Sequence, residues 1–322
     1  MVVALVTALA ALALLALIAI GLVADEDGPP TAPGPVHVSL MDEIDPVSYF
    51  AGSIPQFEQD GVYWFVIEPE SGRILGVRDD CRHEGGVVPP GETHCGIRRV
   101  FWLDVDTLQV ETNVSSFPIP TGALDQAVYE VDLDGDVRRT DEMPPERNPT
   151  PTPAPQVSAD GAWTLAEVEN LGSFQGATFT REEVSLVVSR GTSALELTSI
   201  ARNSARWSPT AEKLAFIGNH CVAFDAPERY DLLILDPETG VLANLTQGTP
   251  DTIRYFDWHP SGDSIAATAV GRNTPHRVLL LDAGGGKEET LLESTLGYFM
   301  PEGWSPNGRW LLVQFNGGGD WC

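Results

Sequence analysis

The sequence predicts an all-β protein that begins with an apolar helix, and three observations carry the prediction. Short alternating or wholly apolar runs dominate, such as VYWFVIE at 62–68, RRVFWLDV at 98–105, DLLILD at 231–236 and RVLLLD at 277–282. Glycine, proline, aspartate and asparagine punctuate them, and no long stretch keeps a helical period. A segment opening on tryptophan also recurs about every fifty residues, the mark of a repeat architecture.

The first element is the run 2–24, which holds no charged side chain and ends at DEDG, 25–28. About 20 apolar residues cross a bilayer. Residues 1–24 therefore read as a membrane anchor or a signal peptide. No basic residue precedes the run, and LVA at 22–24 is a poor cleavage sequence. Either reading puts the body on the extracytoplasmic side of the cell membrane or secretes it, where disulfides are permitted.

Residues 25–35 form a linker containing GPPTAPGP. A second proline-rich stretch, PPERNPTPTPAPQ, covers 144–156. Proline fixes φ and removes a donor, so both read as extended spacers. They bound a small β domain at 36–143 and a repeat domain at 157–322.

Charge narrows the partners. The chain carries 46 acidic against 19 basic residues, a net charge of −27, and its only lysines are Lys213 and Lys287. Such a chain repels phosphate backbones, which excludes nucleic acid.

In the repeat domain WSPTAEKLAF starts at Trp207, WHPSGDSIAA at Trp258 and WSPNGRWLLV at Trp304; SADGAWTLAE at Ser158 aligns without the tryptophan. The spacings between equivalent positions are 50, 51 and 46 residues. Each tryptophan reads as a wedge between units. A tight turn and an apolar strand follow it. A further strand ends on Asp236 in one unit and Asp282 in another. Four short antiparallel strands per unit make a propeller blade.

These repeats resemble TolB-type β-propellers over about 158–322. The resemblance implies a scaffold that meets a protein partner or small ligand at a ring face, with no single reaction attached. Three full units and the first strand of a fourth are counted from Ser158, too few to close a ring. The expectation is an incomplete propeller, from a truncated frame or with its open edge paired to another chain. No G-x-S-x-G elbow occurs. His220, His259 and His276 sit at strand edges and read as turn or packing residues.

In the small domain the loop CRHEGGVVPPGETHC, 81–95, gathers two cysteines and two histidines. A strand–turn–strand with EPESG as its turn leads into it. The order resembles, over about 60–140, a Rieske-type iron–sulfur domain, with Cys81 and His83 in the first ligand pair and Cys95 in the second. The second histidine position falls on Arg98, whose guanidinium cannot donate a lone pair to iron. A degenerate frame without its cluster is expected. Cys81, His83, His94 and Cys95 also make an acceptable zinc set by ligand type, although the adjacent His94 and Cys95 strain the geometry for one ion. A disulfide between Cys81 and Cys95 is the third reading. It would close a loop of about 15 residues and stabilise by about 3 kcal/mol in the chain-entropy model.

The expected function is non-catalytic binding or assembly at the cell envelope through the propeller, without a cofactor. A Rieske-like electron carrier and a fragment of a propeller-containing hydrolase are the alternatives.

Overall fold

The structure, a computed structural model, describes residues 38–41, 62–79, 93–116, 125–140, 156–169, 183–219, 229–249, 251–271, 274–295 and 297–317. The apolar run 2–24, Cys81 and His83 lie outside them. Every regular element among the described residues is a strand, and the fold is all-β.

Strands gather into blades, and in blades I to IV neighbours in sequence pair antiparallel as a meander. Blade I holds β4 (Thr93–Trp102), β5 (Thr107–Ser116), β6 (Asp125–Asp132) and β7 (Val137–Thr140). Blade II holds β8 (Gln156–Val157), β9 (Thr164–Glu169), β10 (Glu183–Arg190) and β11 (Ser193–Ala201). Blade III holds β12 (Arg206–Trp207), β13 (Leu214–Asn219), β14 (Tyr230–Asp236) and β15 (Val241–Asn244). A single residue pair, Ile200 opposite Gly218, links blades II and III. Blade IV holds β16 (Thr252–Trp258), β17 (Ser264–Val270), β18 (His276–Asp282) and β19 (Glu288–Ser294).

Blade V is built from both ends of the described chain. Its first two strands are β20 (Gly297–Trp304) and β21 (Leu311–Gly317). Its outer strands are β2 (Val62–Glu68) and β3 (Arg73–Asp79), with β1 (Val38–Met41) on the rim. The β2–β21 ladder runs in register from Val62 opposite Asn316 to Ile67 opposite Leu311.

This ladder corrects two expectations. The hairpin read as the start of a Rieske-like domain is the outer half of a propeller-type blade, because β2 spends its second edge on β21. The strand that holds Cys95, β4, opens a different sheet. The edge of β21 meets neither a break nor another chain: the same chain pairs with it from the other side of the proposed 144–156 spacer. Covering that edge removes a template for aggregation.

Packing follows the blades. Trp64, Val66 and Leu312 of blade V pack with Val100, Val110 and Tyr129 of blade I. Leu186 and Val188 of blade II pack with Leu214 and Phe216 of blade III. Ile217 and Leu232 of blade III meet Ile265 and Leu279 of blade IV. Val278 and Leu292 of blade IV meet Phe299 and Val313 of blade V. Two-faced burial explains why strands such as LAFIGN and SIAATAV are continuously apolar rather than alternating. Each aliphatic side chain so enclosed contributes roughly 1.5–3 kcal/mol relative to exposure.

Candidate functional site

Of the sequence-derived metal and disulfide candidates, Cys81 and His83 fall outside the described residues. His94 and Cys95 lie in β4, opposite Ser115 and Val114. Among the described residues no three His, Cys, Asp or Glu side chains group as a metal site requires.

The tryptophan-led segments share one turn. Ser158 N–H donates to Trp163 O, Ser208 N–H to Lys213 O, His259 N–H to Ser264 O and Ser305 N–H to Trp310 O, all at 2.8–2.9 Å. Where serine opens the turn, its hydroxyl accepts a backbone N–H, as Ser158 Oγ does from Trp163 and Ser305 Oγ from Trp310, each at 3.0 Å. Trp258 and Trp304 are 6% and 8% exposed, and Trp207 is half-buried. Asp236 Oδ1 accepts the N–H groups of Glu238 and Thr239, and Asp282 Oδ1 that of Gly284. Both aspartates cap the turn between the third and fourth strands of a blade.

His259 fastens one turn to the next. Ser261 N–H donates to its Nδ1 at 3.1 Å, which assigns the proton to Nε2, and Nε2 donates to Gly308 O at 2.9 Å. Its ring meets Trp304 edge-on at 4.6 Å. The Ser261 hydroxyl is 2.7 Å from Nδ1, yet that nitrogen is already held by the turn's own backbone. A general base must be free to take the nucleophile's proton, so this pair reads as a joint between blades IV and V. Thr210 makes the preceding joint, donating to Ser261 O at 2.7 Å.

First strands of successive blades meet at this rim. The Trp258 indole N–H donates to Arg206 O, the residue before Trp207, at 3.1 Å. The Trp102 indole donates to Gly303 O, the residue before Trp304, also at 3.1 Å. Trp102 is thus the blade I counterpart of the repeat tryptophans. Its turn, LDVDT, lacks the Ser-Pro-x-Gly lettering, so the repeat leaves no sequence mark there. Gly303 adopts φ +148°, open to glycine, and a Cβ there would come within 3.9 Å of Asp257 Oδ2.

Asp257, Gly303, Arg206 and Trp102 thereby bring the first strands of blades IV, V, III and I together. Burial pushes the Asp257 carboxyl up to about 6, while the Trp258 N–H, the Arg206 charge and the Trp304 N–H pull it down. A carboxyl that titrates near neutrality beside an exposed guanidinium can hold or release a proton as a ligand arrives. Such a group answers to binding as readily as to chemistry.

No protein-family model matches the chain, and no curated protein matches it. Several solved structures are similar to it. A protein described as TolB from Agrobacterium tumefaciens is 12% identical, with a TM-score of 0.42, over 81% of this chain and 100% of that one. TolB from Acinetobacter baumannii is 16% identical, with a TM-score of 0.33, over 80% of this chain and 64% of that one. An acylaminoacyl peptidase from Pyrococcus horikoshii is 17% identical, with a TM-score of 0.34, over 66% of this chain and 34% of that one.

Proposed function

We propose that the chain is a non-catalytic binding platform, held on the extracytoplasmic side of a membrane by residues 1–24 or secreted, that takes a protein partner or small ligand at the mouth of its first strands. The observation that supports this reading is the convergence of Asp257, Gly303, Arg206 and Trp102 from four blades. A disulfide between Cys81 and Cys95 completes the proposal.

The test is site-specific photocrosslinking from Leu103, an exposed residue beside Trp102, in intact cells that make the chain. A discrete adduct that vanishes when the probe sits at exposed Val241 on β15 supports the platform. Labelling of the purified protein by a serine-hydrolase probe, or an iron-dependent visible absorption, would overturn it in favour of the hydrolase or electron-carrier reading. Mass analysis with and without reductant checks the disulfide, which adds two daltons on reduction.

A further inference from the structure

The first strands carry an unusual charge pattern. In β4, β8, β12, β16 and β20 stand four of the chain's 19 basic residues, Arg98, Arg99, Arg206 and Arg254, but only two of its 46 acids, Asp257 and Glu302. Arg99 pairs with Glu111 at 2.7 Å, while Arg98, Arg206 and Arg254 are exposed.

The strands also break register at charged residues. β4 slips between Ile97 and Arg99, so Arg98 is the extra residue. β16 slips between Ile253 and Tyr255, leaving Arg254 extra, and β20 between Pro301 and Gly303, leaving Glu302 extra. All three are exposed. Arg98 and Arg254 stand at the same offset, four residues before Trp102 and Trp258. A bulge re-aims a side chain out of the ladder and concentrates at functional sites. β16, β20 and β4 belong to consecutive blades, and β20 packs against both others. The order around the mouth is therefore Arg254, Glu302, Arg98.

We infer that Arg98 and Arg254 bind an oxyanionic ligand, a carboxylate or a phosphate, with Glu302 between them as the competing anion. A guanidinium presents a planar fork that either oxyanion fits with paired hydrogen bonds. Arg206, exposed at the rim, extends the positive path outward. The inference rests on the reading of this mouth as a binding platform and names its ligand class.

Fluorescein-labelled hexaglutamate, titrated by anisotropy against the full chain at about 0.15 M salt, is the first probe, and inorganic tripolyphosphate followed by calorimetry is the second. Binding of either is expected to weaken about tenfold in Arg98→Gln/Arg254→Gln and to tighten in Glu302→Gln. Loss of fold would not move the two variants in opposite directions. Arg190→Gln, whose guanidinium pairs with Glu238 in the turn after β14, should leave both affinities unchanged. The probe that binds more tightly tells carboxylate from phosphate. Failure of both probes, or a Glu302→Gln variant that binds no better than the native chain, overturns the inference. A Leu103 photoadduct obtained alongside that failure would leave the platform standing and remove only the ligand class.

Discussion

The Trp102 indole N–H donates to the Gly303 carbonyl at 3.1 Å, across 201 residues of chain. It repeats, between blades I and V, the bond that Trp258 makes to Arg206 between blades IV and III. Trp207, at the same repeat position, has a buried indole nitrogen without a hydrogen-bond partner among the described residues. Trp102→Phe should therefore lose about 0.5–1.5 kcal/mol for the bond beyond what Trp207→Phe loses. Urea denaturation of both variants checks this, and equal losses would mean that the bond contributes nothing net.

Much of the repeat domain was legible because its turns are written in letters with one physical use. Serine caps the turn with its hydroxyl, and glycine takes the left-handed position at Gly262 and Gly308. Blade V's outer half was harder to read because its repeat signature sits at the other end of the chain. EPESG at 68–72 has the turn of DPETG at 236–240: Gly72 N–H donates to Glu68 O and Gly240 N–H to Asp236 O, both at 2.8 Å. Reading 68–72 against 236–240 would have assigned β2 and β3 to a blade. At the mouth, neither Asp257 nor Gly303 belongs to a motif. Burial of the first and the meeting of its strand with that of the second arise from segments apart in sequence, which composition cannot show.

Sharing a sheet has a consequence for unfolding. Ile67 of β2 is fully buried opposite Leu311 and packs in the cluster of blades IV and V. Ile67→Ala should destabilise by about 2–5 kcal/mol and lower the midpoint of the same cooperative transition that Leu279→Ala in β18 lowers. Two transitions, each responding to only one of the variants, would contradict the β2–β21 ladder.

Two titrations at opposite ends of β16 and β18 predict opposite pH trends. Burial raises Asp257 from 3.8 to about 6 in the folded chain. Its contribution is thus fully present below about pH 4 and lost as pH rises through about 6. Asp257→Asn removes that loss. The variant should gain on the native chain by at most about 3 kcal/mol between those limits, at 1.36 kcal/mol per unit. Burial also holds His276 below its ordinary 6.5, with Asp251 pulling it back up. Stability from His276 is present above that ordinary value and falls as pH drops through the lowered one, so His276→Gln should flatten the acid side. Thermal melts across about pH 4 to 8 check both signs; a pH-independent gap between Asp257→Asn and the native chain would refute the first.

Asp251, just before β16, has its side chain 1% exposed, and Arg277 of β18, 21% exposed, reaches its Oδ2 at 2.5 Å. Thr274 donates to Oδ1 at 2.8 Å, so both carboxylate oxygens are engaged. Arg277 also lies 3.5 Å from Glu288 of β19, placing the guanidinium over two strands of blade IV. Replacing both charges with apolar groups that fill the same space can be nearly neutral, because an ion pair out of water repays little beyond its own desolvation. Removing one partner is different, since it strands a charge without its counter-ion. Arg277→Met should cost about 3–5 kcal/mol, and Asp251→Leu/Arg277→Met together should cost less than Arg277→Met alone. The double-mutant cycle in urea decides the matter: strictly additive losses would show that the pair stabilises blade IV by packing and not by charge.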